Sequence, residues 1–246
     1  MISKRIVPIA FFASAMVAAA GSRADETDMR PLSAAQIALF ESDHLKNIGQ
    51  PERLEYRFNR DTEGDAKDKA GGSYADRVDL DVRPRADRKK DVWVDFLSGE
   101  HHMPFPPVTG FKGNPVVMFF LEHDVEEMQR HLGGAASYFR KRIRDAFVDR
   151  AQLKPVEVTR DGSVTSGTEI TLAPFTDDPR IAVFPDLKSK FYRFILSDSV
   201  PGGIYEIASE IPNGAGQPPS VREAIVFYRE TPCEAGEGPC LAAGSQ

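Results

Sequence analysis

Apolar and polar residues alternate with a period of two in much of the chain, which is the pattern of strands with one buried face. In the first such segment Leu54, Tyr56 and Phe58 alternate with polar residues. Similar segments occupy residues 78–82, 91–97, 156–160, 168–173, 191–196, 203–211 and 222–229. The pattern predicts about eight antiparallel strands. The polar stretch at residues 60–73 is instead typical of a long, mobile loop.

Three segments have the spacing of apolar residues that is typical of helices. The first covers residues 34–48, directly after Ser33, a good capping residue. The second begins at Asn114-Pro115 and ends at residue 132, before two glycines. The third covers residues 135–152. Because strands and helices do not alternate along the chain, we expect an α+β fold: a curved, half-barrel-like antiparallel sheet with helices covering one face.

The N-terminus has the pattern of a cleavable export signal. Lys4 and Arg5 precede an apolar run at residues 6–21, and Ala24 ends a small-residue cleavage site. The run is shorter than the roughly 20 residues that span a bilayer, which disfavours a membrane anchor. We therefore expect a signal peptide at residues 1–24, one domain at residues 25–230, a tail at residues 231–246, and a protein that works in a bacterial periplasm.

Charge and motifs narrow the possible functions. The formal net charge is −6, and removal of the signal peptide would take away three more basic residues and no acid. This balance argues against nucleic-acid binding, which depends on clustered Lys and Arg. The sequence has no P-loop, dinucleotide fingerprint or nucleophile elbow, so we expect no cofactor. Cys233 and Cys240, an even number in an exported chain, suggest a disulfide, although two free thiols remain possible.

The stretch at residues 98–114 is rich in Pro and Gly and should have no regular structure. Four phenylalanines lie in it or beside it: Phe105, Phe111, Phe119 and Phe120. They could line the mouth of a cavity that binds an apolar ligand. The alternative is that these rings pack the second helix onto the sheet.

His123, Glu127 and His131 are four residues apart and share one stripe of the second helix. Histidine and carboxylate at this spacing can bind zinc, although the H-E-x-x-H motif is absent. The alternative, which we favour, is a stripe of solvent-exposed surface. His101 and His102, in the Pro-rich loop, could add ligands or act as acid and base.

The third predicted helix has a dense basic face, made of Arg140, Lys141, Arg142 and Arg144. These side chains could contact anionic lipid head groups or an acidic partner protein. The alternative is a solvated face whose cations pair with acids of the same chain.

The order of elements, a helix, strands, central helices and further strands behind a signal peptide, resembles the LolA/LolB-like half-barrels that carry lipids or lipoproteins across the periplasm. The likeness covers residues 33–230 and includes KFYRFILSDSVPGGIYEI at residues 190–207. The resemblance implies an apolar ligand held under the sheet.

The sequence therefore predicts a soluble periplasmic binding or carrier protein for an apolar ligand, such as a lipid or a lipid-linked group. The alternatives are a metal-binding protein or metal-dependent hydrolase, and an envelope interaction protein without catalytic activity.

Overall fold

The structure is a computed structural model that describes residues 31–63, 72–234 and 239–240. The expected signal peptide at residues 1–24 lies outside these residues. Among the helices that are described, none has both the length and the apolar character needed to cross a membrane.

Ten antiparallel strands form one open sheet in the described part of the chain, with the order β4-β3-β2-β1-β10-β9-β8-β7-β6 and with β5 paired to β3. Because β1 pairs with β10, the N-terminal and C-terminal strands join into a single half-barrel-like layer. The predicted α+β class and antiparallel sheet are confirmed. The strands are β1 (Glu52–Thr62), β2 (Tyr74–Pro84), β3 (Lys90–Phe96), β4 (Met103–Pro104), β5 (Val108–Phe111), β6 (Gln152–Arg160), β7 (Ser163–Leu172), β8 (Phe191–Leu196), β9 (Ile204–Ile211) and β10 (Val221–Pro232).

In the described ranges, three helical segments besides the short 3-10 helices Gly99–His101 and Pro185–Ser189 accompany the sheet. They are α1 (Ala34–Gln36, continued by a π-helical turn over Ile37–Glu41), α2 (Val116–Leu132) and α3 (Ala136–Asp149). Ser33 caps α1 as predicted, since its side chain accepts a hydrogen bond from the Gln36 backbone. At the start of α2 the Asn114 side chain accepts from the backbone N–H of Val116 at 3.1 Å. Helix α2 ends at Gly133, whose φ of 72° suits glycine.

The predicted first helix is too long, because helical structure ends at Glu41 instead of residue 48. Beyond it the chain is held by tertiary contacts. The His44 Nε2 atom lies 2.7 Å from the carbonyl oxygen of Ala38, and the backbone N–H of Leu45 donates to Lys112 at 3.2 Å. Apolar spacing alone cannot show that such contacts replace the helical ladder.

Three other boundaries also differ from the predictions. Strand β1 continues through residues 60–62, which the sequence assigned to a loop, and β6 begins at Gln152, where a helix was expected. The Pro-rich stretch contains the short strands β4 and β5, which pair with β3. Pro104 suits β4 to the edge of the sheet, because a proline cannot donate a ladder hydrogen bond.

The hydrophobic core lies between the inner face of the sheet and the helices. Leu54, Tyr56 and Phe58 of β1 are buried, as the alternating pattern predicted. Helix α2 buries Phe120 and Val125 in the same core. Directly after the end of β10, Cys233 is joined to Cys240 by a disulfide, with Cα atoms 5.7 Å apart. Helices α1 and α3 also bury residues in this core, so the three helices together cover the inner face of the sheet.

Candidate ligand-binding cavity

A cavity of about 680 Å³ lies beside the C-terminal half of α2. Its described walls come from α2, from the adjoining ends of β1, β9 and β10, and from the short 3-10 helix Pro185–Ser189. One part of the lining is apolar and consists mainly of Met128, Leu132, Leu187, Ile211 and Val221. The other part is charged, and its inner members are Arg60, Asp124, Glu127, Lys190 and Glu223.

The apolar wall follows from helix and strand geometry. Met128 and Leu132 are four residues apart on α2, so their side chains lie on one face of the helix. Ile211 and Val221 are directly opposite each other at the end of the β9–β10 pair. Leu187 approaches from the 3-10 helix. These five side chains make up most of the apolar part of the described lining.

Arg60 is the centre of the charged wall. It is 4% exposed, and its Nη1 atom donates to Glu127 Oε2 at 3.1 Å and also to Glu223 Oε1. Burial acts to lower the pKa of Arg60, but the two carboxylates outweigh it and raise this pKa. The guanidinium therefore bridges helix α2 to strand β10, because Glu127 lies on the helix and Glu223 lies on the strand.

Glu223 also takes part in a second buried ion pair, with His123. His123 Nε2 is 3.4 Å from Glu223 Oε2, and both side chains are almost fully buried. Burial acts to raise the pKa of Glu223, but His123 and Arg60 hold it at about 2. Burial likewise acts to lower the pKa of His123, but Glu223 raises it. The imidazole is enclosed by the rings of Phe58 and Phe96, at centroid distances of 5.6 Å and 5.4 Å.

Asp124 organises a third buried cluster. Its carboxylate accepts hydrogen bonds from Lys190 Nζ at 2.8 Å, from Ser209 Oγ at 3.0 Å and from the Tyr192 hydroxyl. Burial, followed by the charge of Asp124, raises the pKa of Tyr192 well above its usual value, so this phenol remains a donor. The positive charge of Lys190 is thus matched by a carboxylate within the wall.

The predicted metal ligands are not gathered into one set. His131 Nε2 lies 3.0 Å from Glu127 Oε2, whereas His123 faces Glu223. The expectation that their stripe is solvent-exposed is wrong for His123, because its side chain enters the core and pairs with a strand residue. In the described ranges, the one set of three donor atoms within 4.8 Å of one another belongs to Asp81 and the two disulfide-bonded cysteines. Metal binding by His123, Glu127 and His131 stays a prediction.

Three of the four phenylalanines proposed to line a cavity mouth, Phe105, Phe119 and Phe120, belong to or pack against the core between α2 and the sheet. Phe119 and Phe120 are fully buried, and the Phe105 ring lies 4.2 Å from that of Phe119. Phe111 is half-buried on β5. None of them is among the described lining residues of the cavity. Their role in binding a ligand stays a prediction, and the contacts agree with the packing alternative.

Most of the basic face of α3 is paired within the chain. Arg140 Nε donates to Glu122 at 3.0 Å and Lys141 Nζ to Asp145 at 2.7 Å, and Arg142 Nε lies 3.5 Å from Asp178. Arg144 is exposed. These pairs agree with the solvated-face alternative, and a partner-binding role for the four residues stays a prediction.

The histidines of the Pro-rich stretch are engaged elsewhere. The His101 ring stacks on Tyr74 with centroids 4.0 Å apart, and His102 Nε2 lies 3.4 Å from Asp95. Neither histidine is among the described lining residues of the cavity. Their role as metal ligands or as acid and base stays a prediction.

Sequence reasoning did not single out Arg60, Asp124, Lys190 or Glu223. The alternation of apolar and polar residues along the strands nevertheless indicated that three of these charged side chains face the core. Arg60 continues the series Leu54, Tyr56 and Phe58, so its side chain belongs to the inner face of β1. By the same parity Lys190 precedes Tyr192 and Phe194, and Glu223 precedes Ile225 and Phe227. A charged residue two positions before or after buried apolar residues of the same strand has its side chain on the buried face, and this pattern identifies such a wall.

Comparison with known proteins gives little guidance. No protein-family model and no curated protein sequence matches the chain. It is similar in structure to lipoprotein LppX of Mycobacterium tuberculosis, with a TM-score of 0.30 and 11% identity over 74% of this chain and 87% of that one. It is also similar to a beta-barrel-like protein of the domain of unknown function DUF1849 from Brucella abortus, with a TM-score of 0.32 and 10% identity over 75% and 98% of the two chains. Scores of this size carry no argument, so what the cavity binds is argued from its own residues.

Proposed function

We propose that this protein is a binding or carrier protein that holds an amphipathic small molecule, such as a lipid or a lipid-linked group, in the cavity beside α2. The cavity itself is the observation that carries the proposal. Its volume of about 680 Å³ lies within the range of small-molecule sites, roughly 300–1,000 Å³. Apolar side chains on one part of the wall and fixed charges on the other match a ligand that has an apolar part and a polar or charged part.

The apolar wall would supply most of the binding free energy. Each 100 Å² of ligand hydrocarbon that leaves water for the surface formed by Met128, Leu132 and Leu187 contributes about 2.5 kcal/mol. Part of this gain offsets the loss of translational and rotational freedom on binding.

The charged wall would fix the orientation of the ligand. Arg60, Glu127 and Glu223 hold one another in place, and Asp124 holds Lys190. These groups are positioned before a ligand arrives, so a polar head group would find hydrogen-bonding partners without reorganising the site.

We propose the periplasm as the compartment in which the ligand is carried. The N-terminal sequence pattern supports export, and the Cys233–Cys240 disulfide agrees with an oxidising compartment. Mature protein recovered from a bacterial periplasmic fraction should begin at Asp25. Recovery of the uncleaved chain from the cytoplasm would contradict this part of the proposal.

Filling the cavity tests the proposed function. The neutral fluorescent probe N-phenyl-1-naphthylamine should bind the protein in a saturable, one-to-one manner. Leu132→Trp should weaken this binding at least tenfold, because the larger side chain occupies the cavity. Val164→Trp, an exposed site on β7, is the matched control and should bind like the wild type.

Two results would contradict the proposal. One is the absence of saturable probe binding, and the other is equal affinity in Leu132→Trp and the wild type while circular dichroism shows both to be folded. Native mass spectrometry and organic extraction of protein purified from its own host test the lipid part, and repeated recovery of no lipid would contradict it.

A further inference from the structure

Resting on the proposed function, we propose that the ligand of the cavity beside α2 carries a cationic, hydrogen-bond-donating group, such as a primary amine, attached to its apolar part. The proposal depends on which charged groups of the wall are already paired and which carboxylates are not. It names the ligand class of the same cavity.

The arginine and the lysine of the described lining are already paired with carboxylates of the chain. Arg60 contacts the carboxylates of Glu127 and Glu223. Lys190 Nζ lies 2.8 Å from Asp124 and also donates to Ser209. An anionic ligand would have to displace one of these buried carboxylates or lie close to it, and both arrangements are costly in a partly desolvated site.

The acids of the wall are in excess. The described lining includes five carboxylates but only three basic side chains, those of Arg60, Lys190 and His131. Arg130 and His123, outside the lining, pair with Glu127 and Glu223, so the unpaired acids of the described lining are Glu63 and Asp186. Glu63 and Asp186, both exposed, form no ion pair with any described residue. A cationic ligand would reduce this excess of negative charge, whereas an anion would increase it.

Glu223 adds a buried carboxylate to the inner wall. It lines the cavity and is 2% exposed. Its Oε1 atom accepts from Arg60, and its Oε2 atom is closed to solvent and lies 3.4 Å from His123 Nε2. Glu223 therefore contributes negative charge to the wall, and the acceptors that a ligand amine can reach are the exposed carboxylates of Glu63 and Asp186.

Three probes of equal chain length separate charge from hydrophobicity: dodecylamine, dodecanol and dodecanoate. Each would compete with N-phenyl-1-naphthylamine for the full mature chain at pH 7, at low ionic strength and below the concentration at which it aggregates. Dodecylamine, which like a lysine side chain is charged at this pH, should bind at least tenfold more tightly than dodecanoate, with dodecanol in between.

A double variant, Glu63→Gln with Asp186→Asn, tests the exposed acids without disturbing the core. It should weaken dodecylamine binding by about threefold to tenfold, since each exposed pair contributes modestly, and it should change dodecanol binding clearly less than dodecylamine binding. The matched control is Glu41→Gln with Glu157→Gln, which removes the same charge from exposed sites that do not line the cavity. The control should bind dodecylamine like the wild type.

The outcomes distinguish this inference from the proposed function. The cationic ligand is overturned if dodecanoate binds as tightly as dodecylamine or more tightly. It is also overturned if the Glu63/Asp186 variant has the same affinity for dodecylamine as the wild type. In either case, binding of dodecanol would still support the carrier function. If neither the fluorescent probe nor any dodecyl compound binds, both proposals fail.

Discussion

Arg60 of β1 and Glu223 of β10 lie directly opposite each other in the sheet and form an ion pair on its buried face. The alternation of buried and exposed residues predicts apolar side chains at these two positions, which lie next to the buried pair Phe58 and Ile225. Glu127 and His123 of helix α2 complete it, so the wall of the cavity also fastens the helix to the centre of the sheet. Stability and the proposed ligand binding therefore depend on the same charges.

Removal of Glu223 should destabilise the fold strongly. Glu223→Ala leaves Arg60 and His123 buried near each other without their shared carboxylate, and we expect a loss of about 3–5 kcal/mol in the free energy of unfolding. Urea denaturation measures this loss. As a control, Lys46→Ala breaks an exposed pair with Asp198 and should cost less than about 1 kcal/mol. Equal effects of the two substitutions would show that the buried pair does not fasten the helix.

The charge on His123 should make stability decrease in weakly alkaline solution. Its pKa is raised above 6.5 in the folded state, because Glu223 outweighs the effect of burial. The folded protein therefore holds this proton more tightly than the unfolded chain. The resulting stabilisation is fully present below about pH 6.5 and is lost as the pH rises through the folded-state pKa.

The substitution His123→Gln should remove this part of the pH dependence, and His102→Gln, at an exposed ring, should not. The measurements are unfolding free energies between pH 6 and pH 9 and an NMR titration of the imidazole signals. A His123 signal that titrates at or below pH 6.5 would show that burial dominates over the ion pair.

The sheet could be predicted from the sequence because its apolar residues alternate over long segments, such as Leu54, Tyr56 and Phe58. Helix α2 was also predictable, since Asn114-Pro115 begins it and Gly133 ends it. Both features are local, so a short window of sequence contains them.

The charged wall could not be predicted in the same way. Arg60 and Glu223 are far apart in the chain and become partners only through the β1–β10 pairing. Viewed locally, Arg60 begins a polar stretch that is typical of a loop, and His123 looks like a member of a polar helix face. The parity of Arg60 and Glu223 places both on inner faces of their strands, but the burial of each charge is energetically acceptable only because the other is present, and no local signal shows that the two are partners.

The ring of His44 connects α1 to the start of α2 and should have the opposite pH dependence to His123. Its Nε2 atom lies 2.7 Å from the carbonyl of Ala38, which identifies Nε2 as the donor, and its Nδ1 accepts from the backbone N–H of Asn114 at 3.2 Å. A protonated ring could not accept that hydrogen bond. Burial lowers the pKa of His44 despite raising contributions from the Ala38 carbonyl, Asp43 and Asp198.

Because this pKa is lowered, the unfolded chain binds the proton more tightly than the folded protein. The stabilisation is present above about pH 6.5 and is lost as the pH falls through the folded-state value. His44→Gln should therefore cost about 1 kcal/mol or more at pH 8 and clearly less at pH 5, in urea denaturation of the two proteins. His102→Gln again provides the exposed control. An equal cost of His44→Gln at both pH values would mean that the proton on His44 is not coupled to the contact with Asn114, and the start of α2 would then be independent of this ring.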